Sequence, residues 1–394
     1  MPRLLLILLP VLSSLLMVGC QFDSRQSTFD PKGIIAREQL QLFYLTLQVT
    51  SVIFLAVGGV LLWVVWKYRI RRGKFPADHP KQDHGNPLVE ISLIGVSILL
   101  LAIIAVPTVR VIWYTHELPE DPESLLGHWY TGQLTSEAAA EEPLIIYAYG
   151  WQWWFSFEYP QLGIVTANEF AFPKDRNVVI ELRAKDVIHS FWLPKIAGKV
   201  DMIPGRTNRM WVRADEEGYY YGQCAEFCGE SHAYMQFRAD VFDDAGFAEW
   251  VERQRSPAPS PNQEVPWDTW FAENMARPVE QISGTVEKGA HLFMGRGVCL
   301  QCHAIGGTPA RGNKGPDLTH VASRASIAAG WLEHRTDEGG IDRKLQYENL
   351  YHWILNSEKI KPGNLMHNGN GGLHEVGLTI EEVHHLTAFL MTLK

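Results

Sequence analysis

The sequence predicts a multi-domain membrane protein: a two-helix transmembrane hairpin, a β-rich domain of the sandwich or barrel kind, then an all-α domain. Three observations carry this. Two apolar runs, residues 42–66 and 88–113, are each about 25 residues long, enough to cross a ~30 Å hydrocarbon core. Short β-branched and aromatic runs broken by Pro and Gly fill residues 118–252. From residue 283 onward apolar residues fall at helical spacing. The chain has 394 residues, 46% hydrophobic and 20% charged, so it folds. Its net charge of -9 argues against nucleic acid as a partner, because phosphate binding needs a basic field, and it permits a cationic protein partner.

Residues 1–19 read as a signal peptide. Arg3 is the charged start, Leu4 to Val18 is apolar, and Gly19 precedes Cys20. This resembles a bacterial lipoprotein signal, with cleavage before Cys20 and a lipid on its thiol, although Met17 stands where that pattern prefers Leu. A plain signal peptide with an incidental Cys20 is the alternative. Residues 20–117 then hold the hairpin. Trp63, Trp66 and Trp113 sit at span ends, where amphipathic rings favour the headgroup region. Lys67, Arg69, Arg71, Arg72, Lys74 and Lys81 place the connecting loop in the cytoplasm. Glu117, Glu120, Asp121 and Glu123 follow the second span, so both domains beyond it lie outside. Glu90, at the start of that span, either faces a polar path or sits at headgroup level.

The runs "PLIIYAYGWQWWFSFEYP", "NVVIELRAKDVIHSFWLP" and "MQFRADVF" are the expected strands of the β domain. "RQRSPAPSPNQEVP" is Pro- and Ser-rich, and residues 253–282 are expected to form an extended linker. In the last domain, residues 283–394, Thr379 and Glu382 fit a helix capping box. "CLQCH" supplies Cys299, Cys302 and His303, the covalent haem attachment signature, in which two thiols hold the haem and the imidazole ligates iron. A redox dithiol needs no His303, and no second CxxC completes a zinc ribbon. Met366 in "KPGNLM" is the candidate sixth ligand among Met366, His367, Met391 and several other histidines, and Pro316 offers a carbonyl to orient the His303 ring. Taken together, the N-terminal helix, CxxCH, "GPDL", "KPGNLM" and the C-terminal helix resemble class I cytochromes c. That resemblance implies terminal helices packed together beside haem c.

"GQCAEFCGESHAYM" packs Cys224, Cys228, His232 and Met235 into one short stretch, and His189 stands upstream in "DVIHSFWLP". Zinc could take the two thiols and two imidazoles. Met235 is then surplus, and thiolate, imidazole and thioether together suit copper. In this order the residues resemble the CuA centre of cytochrome c oxidase subunit II. The resemblance runs from Leu42 to about Glu252 and implies a cupredoxin-like Greek-key β barrel. Carried over, His189, Cys224, Cys228, His232 and Met235 are side-chain copper ligands. Glu226 ligates through its backbone carbonyl, and its carboxylate reaches a magnesium at the catalytic subunit. Trp153 is the electron-input tryptophan; the alternative makes Trp151, Trp153 and Trp154 ordinary packing residues. Glu90 matches a glutamate at the mouth of a proton path, while the family's "E-I-x-W-T-x-x-P" reads "EISLIGVS" here, so the carboxylate is kept, Leu93 and Ile94 replace the Trp and Thr, and the Pro is absent.

The copper domain, the fused cytochrome and the lipidated start together look like subunit II of a caa3-type oxidase in a bacterial inner membrane, with both soluble domains on the periplasmic side. The resemblance implies electrons passing from an external donor through haem c and CuA to a catalytic partner subunit that reduces oxygen. The two spans lack the histidine cluster that an oxygen-reducing site needs. A nitric oxide reductase partner and a non-catalytic copper-binding protein are the other readings. A nitrous oxide reductase would need a second histidine cluster that this chain lacks.

Overall fold

The computed structural model describes residues 23–69, 85–117, 143–368 and 376–394. Cys20, most of the basic loop (Arg71, Arg72, Lys74 and Lys81) and the acidic residues Glu120, Asp121 and Glu123 lie outside the described residues. The chain divides into two compact units. One holds the two long helices. The other holds the segment before them, the β domain and the C-terminal helical domain.

Helix α1 spans Ile34–Tyr68 and α2 spans Pro87–His116, 35 and 30 residues. At ~1.5 Å per residue both exceed the ~30 Å of a hydrocarbon core, so they run past the expected spans into the headgroup region. Most of their large apolar side chains, such as Phe54, Leu55, Leu93 and Ile98, are exposed, as lipid-facing residues are. Asn86 caps α2: its side chain accepts from the N–H groups of Leu88 and Val89 at 3.0 and 3.4 Å, and Pro87 follows where no N–H is needed.

Ten strands form the β domain: β1 (Leu144–Trp151), β2 (Trp154–Tyr159), β3 (Ile164–Ala167), β4 (Glu169–Pro173), β5 (Val178–Ala184), β6 (His189–Trp192), β7 (Lys199–Met202), β8 (Asn208–Val212), β9 (Gly218–Cys224) and β10 (Gln236–Phe242). They make two five-stranded sheets, β3-β2-β1-β5-β8 and β4-β10-β9-β6-β7. Strand β1 (Leu144–Trp151) and β2 (Trp154–Tyr159) bury alternate residues, as a strand with one face on a core must. Between the sheets Phe155, Phe157, Phe170, Phe191 and Phe237 form an aromatic cluster, with ring centroids 4.3 Å apart for Phe191 and Phe237. Burying each ring contributes about 1.5–3 kcal/mol. The hydroxyl of Tyr159 donates to the Ala171 carbonyl at 2.7 Å, which satisfies its polar end. The segment before α1 joins this domain: the Lys32 amide donates to the Lys195 carbonyl at 2.6 Å, and Lys195 pairs with Asp30 at 2.7 Å.

Helix α3 (Asp244–Arg255) closes one end of the sandwich, with Trp250 against Tyr159 at 5.3 Å. The next segment differs from the expected linker. Residues 256–266 are irregular, but α4 (Trp267–Asn274) follows within the stretch and buries Trp267 and Trp270 in the helical domain's core. Two tryptophans three residues apart share a helix face, and that face needs a core. Helix α5 (Thr285–Met294) crosses α7 (Ile380–Leu390), with α6 (Arg343–Leu355) alongside. The α5–α7 crossing is close because Gly289 has no side chain; a Cβ there would stand 2.0 Å from the His385 carbonyl oxygen. The Thr379–Glu382 capping box is formed in both directions.

The two domains touch through a hairpin of β11 (Ser326–Ile327) and β12 (Leu332–Glu333). The Gln236 amide, at the start of β10 (Gln236–Phe242), donates to the Ala329 carbonyl at 3.0 Å. Buried Arg238 donates to the Gly330 carbonyl at 2.7 Å. Glu169 accepts from the Ser326 hydroxyl at 2.6 Å and the Ala325 amide at 3.1 Å.

Candidate metal centre and electron path

Three strand ends build the sulfur cluster. His189 opens β6 (His189–Trp192), and Cys224 closes β9 (Gly218–Cys224). Phe191 pairs with Cys224, which brings the two ends together. His232 starts a 3₁₀ turn, Met235 ends it, and β10 follows. The Cys224 amide donates to the Met235 carbonyl at 2.9 Å and closes the loop.

The donor atoms converge. The sulfurs of Cys224 and Cys228 lie 3.8 Å apart. His189 Nδ1 is 4.0 Å from the Cys224 sulfur, and His232 Nδ1 is 3.5 Å from the Cys228 sulfur. Met235 Sδ is 3.8 Å from the Cys228 sulfur, and the Glu226 carbonyl oxygen is 3.3 Å from the Cys224 sulfur. His189, Cys224, Cys228 and Met235 are buried, while the Glu226 side chain is exposed. The hydrogen bond from Cys228 favours a Cys224 thiolate, and that bond with its charge pushes the Cys228 thiol up. Two adjacent thiols cannot both ionise without a compensating cation, so the pair suits a metal. The thioether beside the sulfurs is a donor that copper uses and zinc does not need.

A second layer of residues holds the cluster, and the sequence did not reveal it. Asp186 accepts from His189 Nε2 at 2.7 Å, which fixes the ring and turns Nδ1 toward Cys224. Burial opposes the Asp186 charge, but bonds from His189 and the Gln152 and Val187 amides win and hold its pKa below the ordinary value. Trp153 sits at the tip of the β1–β2 hairpin and its indole N–H donates to the Cys228 carbonyl at 3.0 Å. Trp151 and Trp154 instead stack on each other at 5.5 Å. On its other side, Trp153 meets the C-terminal domain. A Cβ at Gly363 would stand 3.0 Å from the ring, and Gly363 has φ +74, so both space and backbone call for glycine. Lys361, also buried, reaches the Trp153 carbonyl.

In the C-terminal domain, His303 Nδ1 donates to the Pro316 carbonyl at 2.8 Å and leaves Nε2 as the lone-pair nitrogen. Burial lowers the His303 pKa, which favours the neutral, ligating ring. Cys299 and Cys302 flank it on a 3₁₀ turn. Met366 packs against the domain core, three residues beyond Gly363, and Met391 packs there too at the end of α7. These residue types fit a covalent haem: two thiols, one oriented imidazole and a thioether on a later one-turn helix, Leu365–Asn368. Glu90 lies exposed in the first turn of α2, its carboxylate folded back toward Gly85.

Comparison with known proteins bears on the β domain first. Residues 164–241 match the family model described as cytochrome c oxidase subunit II, periplasmic domain. Cytochrome c oxidase subunit 2 of Alkalihalophilus pseudofirmus is 31% identical over 90% of this chain and 88% of its own length. The same subunit of Bacillus sp. strain PS3 is 29% identical over 97% of this chain and 95% of its own. The solved periplasmic domain of subunit II from Bradyrhizobium japonicum is 35% identical, covering 29% of this chain and 95% of that one with a TM-score of 0.28.

Proposed function

The chain belongs to the cytochrome c oxidase subunit II family, and from that premise we propose that it is the electron-input subunit of a caa3-type oxidase. It takes electrons from an external donor onto haem c, relays them through a CuA copper pair, and delivers them to the catalytic subunit that reduces oxygen. The observation that carries this reading is continuity. One unbroken set of contacts runs from Cys228, through Trp153, to the loop at Gly363 that leads into Met366.

His189, Cys224, Cys228, His232, Met235 and the Glu226 carbonyl are the copper donors; Cys299, Cys302, His303 and Met366 hold the haem. When bound, each centre accepts and releases one electron. The chain's own residues supply the rest. Asp186 orients His189, and the Pro316 carbonyl orients His303. Trp153 fills the space between the two domains with a π-surface and hydrogen-bonds a ligand residue's backbone. Exposed Phe227, Val187 and Ile188 flank the copper ligands in sequence and suit a face covered by the catalytic subunit. The exposed Glu226 carboxylate is free to hold magnesium there. Cys20 carries the lipid, and α1 and α2 anchor the subunit in the bacterial inner membrane with its cytochrome outside.

Removing the haem tests the relay. A Cys299→Ala, Cys302→Ala double variant is expected to retain its copper signal. A soluble donor at micromolar concentration should reduce that copper about a hundredfold more slowly than in the parent, because the tethered donor's effective concentration is lost. Equal rates would mean that electrons reach copper without the C-terminal domain.

A further inference from the structure

Lys361 is a cation placed where cations are rare. Its side chain is buried between the two domains, and its ammonium reaches three backbone carbonyls from three separate segments. One is Trp153, at the β-hairpin tip. One is Tyr234 at 3.1 Å, in the turn between His232 and Met235. One is Ala328 at 3.4 Å, in the β11–β12 hairpin of the helical domain. An ammonium has three donor hydrogens, so each can find an acceptor. Burial alone drives such a group toward its neutral form and lowers its pKa to about 7, against the pull of nearby Cys228. A buried ammonium that loses its water is retained only where its hydrogen bonds are made good.

The neighbouring residue repeats the contact from the other side. The Ser231 hydroxyl, one residue before His232, donates to the Pro362 carbonyl at 2.5 Å. Gly363 then lies against the Trp153 ring. Residues 361–363 therefore touch the β domain at three consecutive positions, just ahead of Met366. No other lysine of this loop does this: Lys359 is exposed.

We propose that Lys361, with Ser231, is a positioning clamp that holds the haem-bearing domain against Trp153 and thereby sets the gap across which the electron passes. The clamp deepens the electron-relay reading and rests on it for its purpose. The step it would serve is a one-electron exchange between a haem held by Cys299, Cys302, His303 and Met366 and a copper pair held by His189, Cys224, Cys228, His232 and Met235: one centre would lose the electron that the other gains, and no proton or bond would change place. Lys361 touches neither centre; it acts through the domain contact. Because the ammonium caps carbonyls from both domains, its loss leaves those acceptors unpaired and the face around Trp153 free to open.

The test uses the full chain in detergent, with Lys361→Met, Ser231→Ala and the exposed-site control Lys359→Met. The first readout is independent of electron transfer: hydroxyl-radical labelling of the Trp153 ring, quantified by mass spectrometry. In the parent and in Lys359→Met the ring should be protected. In Lys361→Met its labelling should rise severalfold, and in Ser231→Ala by a smaller factor. The second readout is the rate at which flash-reduced haem passes its electron to copper. It should fall on the order of tenfold or more in Lys361→Met, with the haem and copper spectra unchanged. If Lys361→Met does not accumulate, the Ser231→Ala result decides by the same two readouts. Unchanged labelling and unchanged rate would overturn the clamp. Should the labelling change as described while parent haem never reduces copper, the clamp stands and the electron-relay reading fails.

Discussion

Asp186 illustrates how much a single side chain outside the ligand set controls. Its carboxylate is 2.7 Å from His189 Nε2 and also accepts the Gln152 amide at 2.6 Å, so it ties His189 to the residue beside Trp153. Replacing a carboxylate that orients a ligating imidazole typically lowers metal affinity about 10- to 100-fold. Asp186→Asn should therefore lose copper to a chelator at a correspondingly lower concentration, followed by the copper absorption. Asp240 offers a prediction about pH. It lines a cavity of about 120 Å³ with Glu169, His320 and Arg324, and its pKa is raised to about 7, first by burial and then by the Glu169 charge. A carboxyl raised in the folded state favours its protonated form. Its contribution is complete below the unfolded value of ~4 and is lost as pH rises through about 7. Melting temperature should fall across that window in the parent and stay flatter in Asp240→Asn. Of the site residues, Cys224, Cys228, His232 and Met235 were legible because they fall within one short turn. His189, 35 positions before Cys224, stood out only as an imidazole upstream, and the resemblance gave it its place in the set. Asp186 and Lys361 look in sequence like any loop charge, because only the fold supplies their partners.

At the level of elements, the close crossing of α5 and α7 is the most sensitive contact. A side chain at Gly289 meets backbone, the His385 carbonyl, rather than a movable side chain. Gly289→Ala should destabilise the C-terminal domain by about 1–3 kcal/mol or more, read as a lower melting temperature of the haem band. An unchanged melt would mean that these helices do not pack against each other there. Long apolar runs made α1 and α2 visible in the sequence, helical spacing did so for α5 and α7, and β-branched and aromatic runs broken by Pro and Gly did so for β1 and β2. The β11–β12 hairpin was not visible, since two-residue strands have no period to read. Likewise α4 hid inside a stretch that begins with Pro and Ser, although its paired tryptophans were the clue.

On the scale of the whole molecule, the β domain and the helical domain form one unit, with charges at their contact: buried Arg238 and Lys361 and half-buried Glu169 each bond across it. Cutting the irregular stretch near Pro259 should leave the halves associated at micromolar concentration, seen as co-elution on a sizing column. Haem-to-copper transfer should slow only on dilution, when the tether's contribution to effective concentration is missed. Immediate separation of the halves would mean that the contact is held by the tether alone. The membrane hairpin, the copper domain and the helical domain were all readable as separate modules; their mutual docking was not, because it depends on carbonyls that any sequence would supply.

The most direct measurement is electron paramagnetic resonance and absorption spectroscopy on the purified full chain, with copper, zinc and iron analysis of the same sample. A mixed-valence copper pair together with a covalently bound, c-type haem is the expected result. Zinc or a single ordinary copper in the β domain, or a C-terminal domain without covalent haem, would contradict the relay from Met366 through Trp153 to Cys228.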